Sequence, residues 1–388
     1  MVTLTSAENA LKTLYLGVVA EQLNTAVNPL MAKIEQTTSD VWGKEIRKLA
    51  PFGINGGIGA GSEDGTLPVA GSNNYAQFVL TLKNLYGTIE LSDKAIRASQ
   101  NNSGAFVNLL DAEMEGLIKA SKFNFGRMLY GDGTGVLATV NMQTGNVLRV
   151  SSTATFMEGM VVDVVSASTQ ATVISARRVI SVDRSGRSVT LGGATIADGT
   201  VTTGDYVTVQ GSYGKEITGL GAIFGNSPTL YGLDRATNKW LSPYSRSVAE
   251  LTDVAIQRAI DHLEENAGGT VDFIVCSSGV KRAYQDYLIT NRSNIDVMNL
   301  EGGYKAISYN GIPVVSDRFV PASTMYLLNT KDFHLHQLCD WRWLEGDDGR
   351  VIKQMPGRPV YTATLVKYAD MICDRPAGQA QIVGITEA

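Results

Sequence analysis

His334 and His336 stand two positions apart, a spacing that could do chemistry. Alternate residues of an extended segment share a face. If residues 333–338 form a strand, both imidazoles point the same way, as two ligands of a zinc-type site. No third ligand is close in sequence and His262 is the only other histidine, so structural histidines are the expectation. Gly57-Ile58-Gly59-Ala60-Gly61 has the glycine spacing of a dinucleotide loop. Such a loop works by following a strand and opening a helix, whose free N–H groups hold phosphate. Here it follows Pro51 and leads into Ser62-Glu63-Asp64-Gly65, so the context fails. Residues 131–135, with Gly131, Gly133 and Gly135, lack the Lys-Ser/Thr of a phosphate loop and come after a helical pattern. There is no Gly-x-Ser-x-Gly elbow. Asp347-Asp348-Gly349 sets two carboxylates side by side, but Asp-Gly is the chemistry of a type I′ hairpin turn. No catalytic, cofactor-binding or metal-ligating residue is assigned. The expectation is a protein that is not an enzyme, needs no cofactor, and carries its function in its architecture.

Composition narrows the class. At 388 residues the chain is long enough for two or three cored domains. Apolar residues make up 44% and charged residues 18%, which fits a folded chain rather than a disordered one. Forty glycines with so few charges fit a chain that meets neighbours over much of its surface. The net charge is −5, and no block of basic residues marks a dedicated nucleic-acid binder. The densest basic group, Arg177, Arg178, Arg184 and Arg187, has Glu158, Asp163 and Asp183 nearby and reads as a solvated face. Cys276, Cys339 and Cys373 are odd in number and without metal spacing; they read as reduced, mostly buried thiols. The first residues lack a basic n-region and carry Glu8 and Lys12 inside the apolar run, unlike a signal peptide. No run approaches the apolar length of a membrane span.

What would position these groups is dominated by one long helix. Residues 104–130 keep Phe106, Leu110, Met114, Leu117, Phe125 and Met128 near the three-or-four spacing of a buried stripe. Ser103 can cap the start, Glu115 and Lys119 form an i,i+4 pair on the opposite face, and the glycines after Tyr130 end it. At 1.5 Å per residue this helix is about 40 Å long, enough to cross a whole subunit. Before it, residues 41–52 and 75–91 read as extended arms. Residues 53–74, with seven glycines and one proline, cannot hold a regular element. Together they describe a long hairpin with little core of its own. Thr5 and Glu8 form a capping box for an amphipathic helix to about residue 24, and residues 30–38 read as a short helical or irregular piece.

After the long helix the pattern changes. Residues 136–214 are rich in Val, Thr and Ser, with short strand-like runs at 147–150, 160–166, 173–183, 188–191 and 206–210. Glycines punctuate them, as in a small β-barrel or sandwich. Residues 179–191 read as a hairpin turning at Arg184-Ser185-Gly186. Ser247 and Glu250 form a second capping box, for a helix to Asn266 that buries Ile256, Ile260 and Leu263 and stops at Gly268-Gly269. Residues 271–276 read as a strand and 279–290 as a helix. Further strands are expected at 311–315, 324–329, 333–338, 351–355 and 360–367, which makes this half α+β.

The order of parts resembles the tailed-bacteriophage major capsid protein family, whose shell fold is shared with encapsulins and the herpesvirus capsid floor. The ending FGRMLYGDGTG (residues 125–135) and the run YNGIPVVSDRFVPASTMYLLNTKDF (residues 309–333) are similar to that family. The resemblance implies an α+β phage major capsid fold with an N-terminal arm (1–40), an extended loop hairpin (41–91) and a peripheral domain with a spine helix (92–135). It also implies an inserted β-domain (136–214), a linker and axial domain (215–333), and returning axial and peripheral strands (334–388). The inserted block departs from the simplest pattern, as some members do. The implied function is a virion shell protein that assembles with itself into hexamers and pentamers of an icosahedral head, in the cytoplasm of a host bacterium. The head would enclose double-stranded DNA without sequence-specific contact. The implied partners are a separate scaffolding protein and a portal, with no membrane. An encapsulin-type compartment is the near alternative, and another phage structural part, such as a tail protein, is a further one.

Overall fold

The computed structural model of the chain describes residues 28–39, 41, 45–93, 103–291, 297–299, 305–346, 349 and 351–388. The helix expected before residue 24 and the Asp347-Asp348 pair lie outside them.

The spine helix runs from Ser103 to Met128. Met114, Ile118, Phe125 and Met128 are buried along it, with Leu117 and Phe123 half-buried against the same core. Glu115 and Lys119 pair at 3.8 Å on the solvent side. The helix ends in turns where Gly133 and Gly135 take φ of +83° and +78°, left-handed backbone that disfavours a Cβ.

Beneath it lies the peripheral sheet: β1 (Glu35–Thr37), β19 (Phe333–Trp343), β21 (Val360–Cys373) and β20 (Lys353–Gln354), with β4 (Lys83–Ser92) paired along β21. The helix crosses close to β4: a Cβ on Gly87 would come within 2.8 Å of Leu117 Cδ1. The expected arm from residue 75 to 91 is therefore two strands. β3 (Asn74–Leu80) pairs antiparallel with β2 (Ile46–Phe52) to make the hairpin stem. After Thr81-Leu82 the chain enters the peripheral sheet as β4. Residues 30–38 also differ from expectation: after turns at 29–33, Glu35–Thr37 adds a parallel edge strand to β19. Between Gly53 and Asn73 there is no strand or helix, as the glycine content requires.

Residues 136–209 close into a barrel. Its strands are β5 (Val136–Thr144), β6 (Val147–Val150), β7 (Val161–Val165), β8 (Thr172–Asp183), β9 (Ser188–Leu191) and β10 (Tyr206–Val209), in the order β10-β5-β6-β9-β8-β7. Alternate residues such as Val140, Leu148, Val162, Val164, Val189 and Val207 fill a core separate from that of the rest. Closure removes the exposed sheet edges that strands this short would leave.

Two short strands, β11 (Thr229–Leu230) and β12 (Leu233–Asp234), pair with each other, and the C-terminal half then builds a seven-stranded sheet, β13-β22-β18-β14-β17-β16-β15. These strands are β13 (Tyr244–Ser247), β14 (Phe273–Cys276), β15 (Val297–Asn299), β16 (Lys305–Tyr309), β17 (Ile312–Ser316), β18 (Thr324–Leu328) and β22 (Ala380–Val383). Period-two alternation sends Ile274, Cys276, Met325 and Leu327 to one face, under helices Asp253–Ala267 and Ser278–Thr290. Phe273, Val275, Tyr326 and Leu328 go to the other face, against the peripheral core. Strand β14 is thus buried on both sides. The expected capping box at Ser247 and Glu250 is not used, because Ser247 ends β13. Thr252 caps the helix instead, accepting from Ala255 N–H at 3.2 Å. Ile256, Ile260 and Leu263 are buried and Gly268 closes the helix at φ +57°, as read from sequence. Among the described residues no helix is long and apolar enough to cross a membrane.

Candidate assembly surfaces

The hairpin has an anchored base and an uncovered tip. One face of the stem is apolar, through Ala50, Phe52, Phe78 and Leu80, and settles on residues 230–240. Phe52 stacks on Trp240 with ring centroids 5.3 Å apart, and Phe78 lies 5.2 Å from Tyr231. Val79 N–H donates to Tyr231 O at 2.9 Å. Beyond Phe52 this support ends. Ile54, Ile58, Leu67 and Val69 are each more than three-quarters exposed. The two arms of the tip touch through glycine: a Cβ on Gly57 would sit 2.8 Å from Gly71 N.

A charged cluster fixes where the hairpin leaves the body. Lys48 Nζ donates to Asp374 Oδ2 at 2.6 Å. His334 lies between two carboxylates, Nε2 3.2 Å from Asp374 and Nδ1 3.3 Å from Glu35. Three elements, β1, β2 and β19, therefore meet at one polar cluster. His336 is buried beside it, ring centroids 6.4 Å apart. The strand does place both histidines together, but their neighbours form a salt-bridge cluster. Among the described residues no three of His, Cys, Asp and Glu are grouped to hold a metal ion.

Four buried charged residues tie the end of the spine helix, the chain leaving the barrel and the sheet together. Arg127 donates to Asn124 Oδ1 at 2.7 Å and pairs with Glu216. Asp370 accepts from Thr218 N–H at 2.6 Å and Met371 N–H at 2.8 Å, and burial pushes its carboxyl up to about 6. Lys367 is fully buried, donates to Gln337 and to Asp340 at 2.8 Å, and rests 5.3 Å over the Phe125 ring. Desolvation lowers its pKa. The contacts that join different elements, Arg127 with Glu216, Asp370 with Thr218 and Lys367 with Gln337 and Asp340, are far apart in sequence, so no local pattern announces them. Cys276, Cys339 and Cys373 are free thiols, and burial pushes Cys276 up to about 12, far from a reactive thiolate. The glycines at 57–61 belong to the hairpin tip, with no helix behind them to bind a phosphate. The arginine group read as one solvated face is divided: Arg184 donates to Thr153 O and Phe156 O, while Arg177 and Arg178 line a cleft.

This arrangement of spine helix, peripheral sheet, two-helix axial sheet and projecting hairpin is the fold seen in phage major capsid proteins. No family model and no curated protein matches the sequence. Solved structures do. The capsid asymmetric unit of cyanophage A-1(L) is similar with a TM-score of 0.56 at 15% identity, covering 96% of this chain and 93% of that one. An encapsulin complex from Synechococcus elongatus has a TM-score of 0.47 at 9% identity, with 95% of each chain covered. Mycobacterium phage Adephagia has 0.48 at 8%, covering 94% and 92%.

Proposed function

We propose that the chain is the shell-forming subunit of a tailed-phage head. The observation that supports this best is the hairpin: anchored at the stem, yet exposing four large apolar side chains at a tip that none of the described residues covers. Burying such surface stabilises by roughly 25 cal/mol per Å², and a neighbour in an assembly would supply that burial. The likeness to the cyanophage capsid subunit supports the same reading. The copies would form hexamers and pentamers enclosing double-stranded DNA, assembled in a host bacterium with a separate scaffolding protein and a portal. Residues 41–91 would act as the clasp, 92–135 and 334–388 as the peripheral body, 215–333 as the axial wedge, and 136–214 as an inserted β-module. Its role is structural rather than catalytic.

Electron microscopy and sedimentation of the expressed chain, alone and with its neighbouring gene products, test the proposal. Closed icosahedral particles are expected, with nuclease-protected double-stranded DNA in native ones. A chain that stays monomeric under every condition tried, or native shells holding an enzyme and no DNA, would contradict it.

A further inference from the structure

The barrel carries an open cleft of about 790 Å³ whose lining includes Glu158, Arg177, Arg178, Ile180 and Gly193. Neighbours in a regular strand point to opposite faces, yet Arg177 and Arg178 both line it. The register of β8 slips on each flank, against β7 between Val162 and Val164 and against β9 between Val179 and Ser181. Ala176, in left-handed backbone at φ +51°, is held there by its N–H donating to Asp163 at 2.7 Å. The seat is shaped for the guanidinium. Gly193 has φ +92°, and a Cβ there would lie 2.0 Å from Arg177 Nη1, which donates to Gly192 O at 2.9 Å.

The barrel does not neutralise these charges by pairing. Asp163, Asp183, Asp198 and Asp205 are each held by backbone N–H groups, and Glu158 accepts from Val182 N–H. Among the described residues no ion pair involves Arg177 or Arg178. Ile180 beside them is 59% exposed.

The hairpin tip has the complementary composition. Glu63 and Asp64 are the only charged residues between Gly53 and Asn73, at a turn closed by Gly65 N–H on Ser62 O at 3.1 Å. Leu67 and Ile58 stand exposed next to them. The turn lies about ten residues beyond the anchored stem, a span of at most roughly 35 Å for fully extended chain.

We propose that the Arg177–Arg178 cleft receives the hairpin tip of a second copy, with Glu63 and Asp64 meeting the guanidiniums and tip apolar side chains covering Ile180. Arginine suits this role because its planar fork pairs with carboxylates in two-point geometry. One such rim contact is weak, but repetition around a closed shell multiplies it. It rests on the shell-subunit reading above, since assembly is what would bring one copy's tip to another copy's barrel.

The test uses the full chain with Glu63→Cys and Arg178→Cys together. Oxidised particles should run as a ladder of disulfide-linked multimers on a non-reducing gel, and either single variant should not. Independently, Arg177→Glu with Arg178→Glu should at least halve particle yield, and adding Glu63→Arg with Asp64→Arg should restore it. Circular dichroism on each variant separates misfolding from lost contact. An intramolecular disulfide would place the tip on its own barrel and overturn the second-copy contact. If the wild-type chain assembles but no ladder forms and charge reversal leaves yield unchanged, the contact is wrong while the shell reading stands. If the wild-type chain never assembles, both fall.

Discussion

Arg127, one residue before the end of the spine helix, forms a buried ion pair with Glu216, just past the barrel; their side chains are 7% and 2% exposed. The chain enters the barrel beside the same spot, since a Cβ on Gly135 would sit 3.2 Å from Glu216 Oε1 and 2.8 Å from Ser212 O. Entry and exit are therefore clamped together against the helix. Removing one partner leaves an uncompensated buried charge, which costs about 3–5 kcal/mol. Arg127→Ala and Glu216→Ala should each destabilise by that order, and the double variant by less than the sum. Urea unfolding measures it, and single-variant losses below about 1 kcal/mol would show the pair is not a clamp.

The core face of the spine helix makes a second prediction. Ile118 is 1% exposed, whereas Leu117 is half-buried. Ile118→Ala should cost about 2–5 kcal/mol through lost burial and the cavity left behind, and Leu117→Ala clearly less. Denaturation midpoints in the reverse order would mean the helix is rotated from the orientation described.

Asp370 should give stability a pH signature. Its folded carboxyl sits at about 6, raised by burial above the ordinary aspartate value near 3.9. The folded state thus holds the proton more tightly, so its contribution is present below about pH 4 and is lost as pH rises through 6. The full swing is about 3 kcal/mol. Subtracting the stability curve of Asp370→Asn from that of wild type should leave this fall between pH 4 and 6. A flat difference curve would contradict the burial argument.

Lys367 tests how much a buried pair contributes. Desolvation lowers its pKa, so its unfolded form takes up the proton first. Wild-type stability should fall as pH drops below the unfolded lysine value of about 10. Lys367→Met should remove that slope yet destabilise at neutral pH, because it leaves the buried Gln337 side-chain oxygen and Asp340 without their donor. Asp340→Ala should destabilise, since the ammonium then keeps Gln337 alone of its two hydrogen-bond acceptors. Thermal melts of both variants across pH decide it.

Sequence carried the spine helix because its stripe is local: Met114, Phe125 and Met128 are three or more turns of one periodic face. It carried most barrel strands because glycine punctuates them. It missed β5, whose Val-Leu-Ala-Thr-Val-Asn-Met does not alternate cleanly, and it stopped β19 at Leu338. Register shifts at Gln337 and Cys339 break the alternation there, although pairing continues to Trp343. Alternation ran straight through Thr81-Leu82, hiding the boundary between β3 and β4. Glu35–Thr37 is a strand only because β19 lies beside it. The hairpin was legible as an element without a core, but not how its stem is held, since Phe52 and Trp240 are far apart in the chain. The Arg177–Arg178 cleft needs a register slip that no composition reveals.

The central claim is that the hairpin clasps neighbouring copies while the subunit folds without its tip. Deleting residues 56–70 tests it most directly, with sedimentation of the variant beside wild type under the same assembly conditions. The stem strands, the spine helix and both sheets keep their cores, so the variant should melt like wild type yet sediment as free subunits or unstable oligomers. Particles of normal size and stability from the shortened chain would contradict the account.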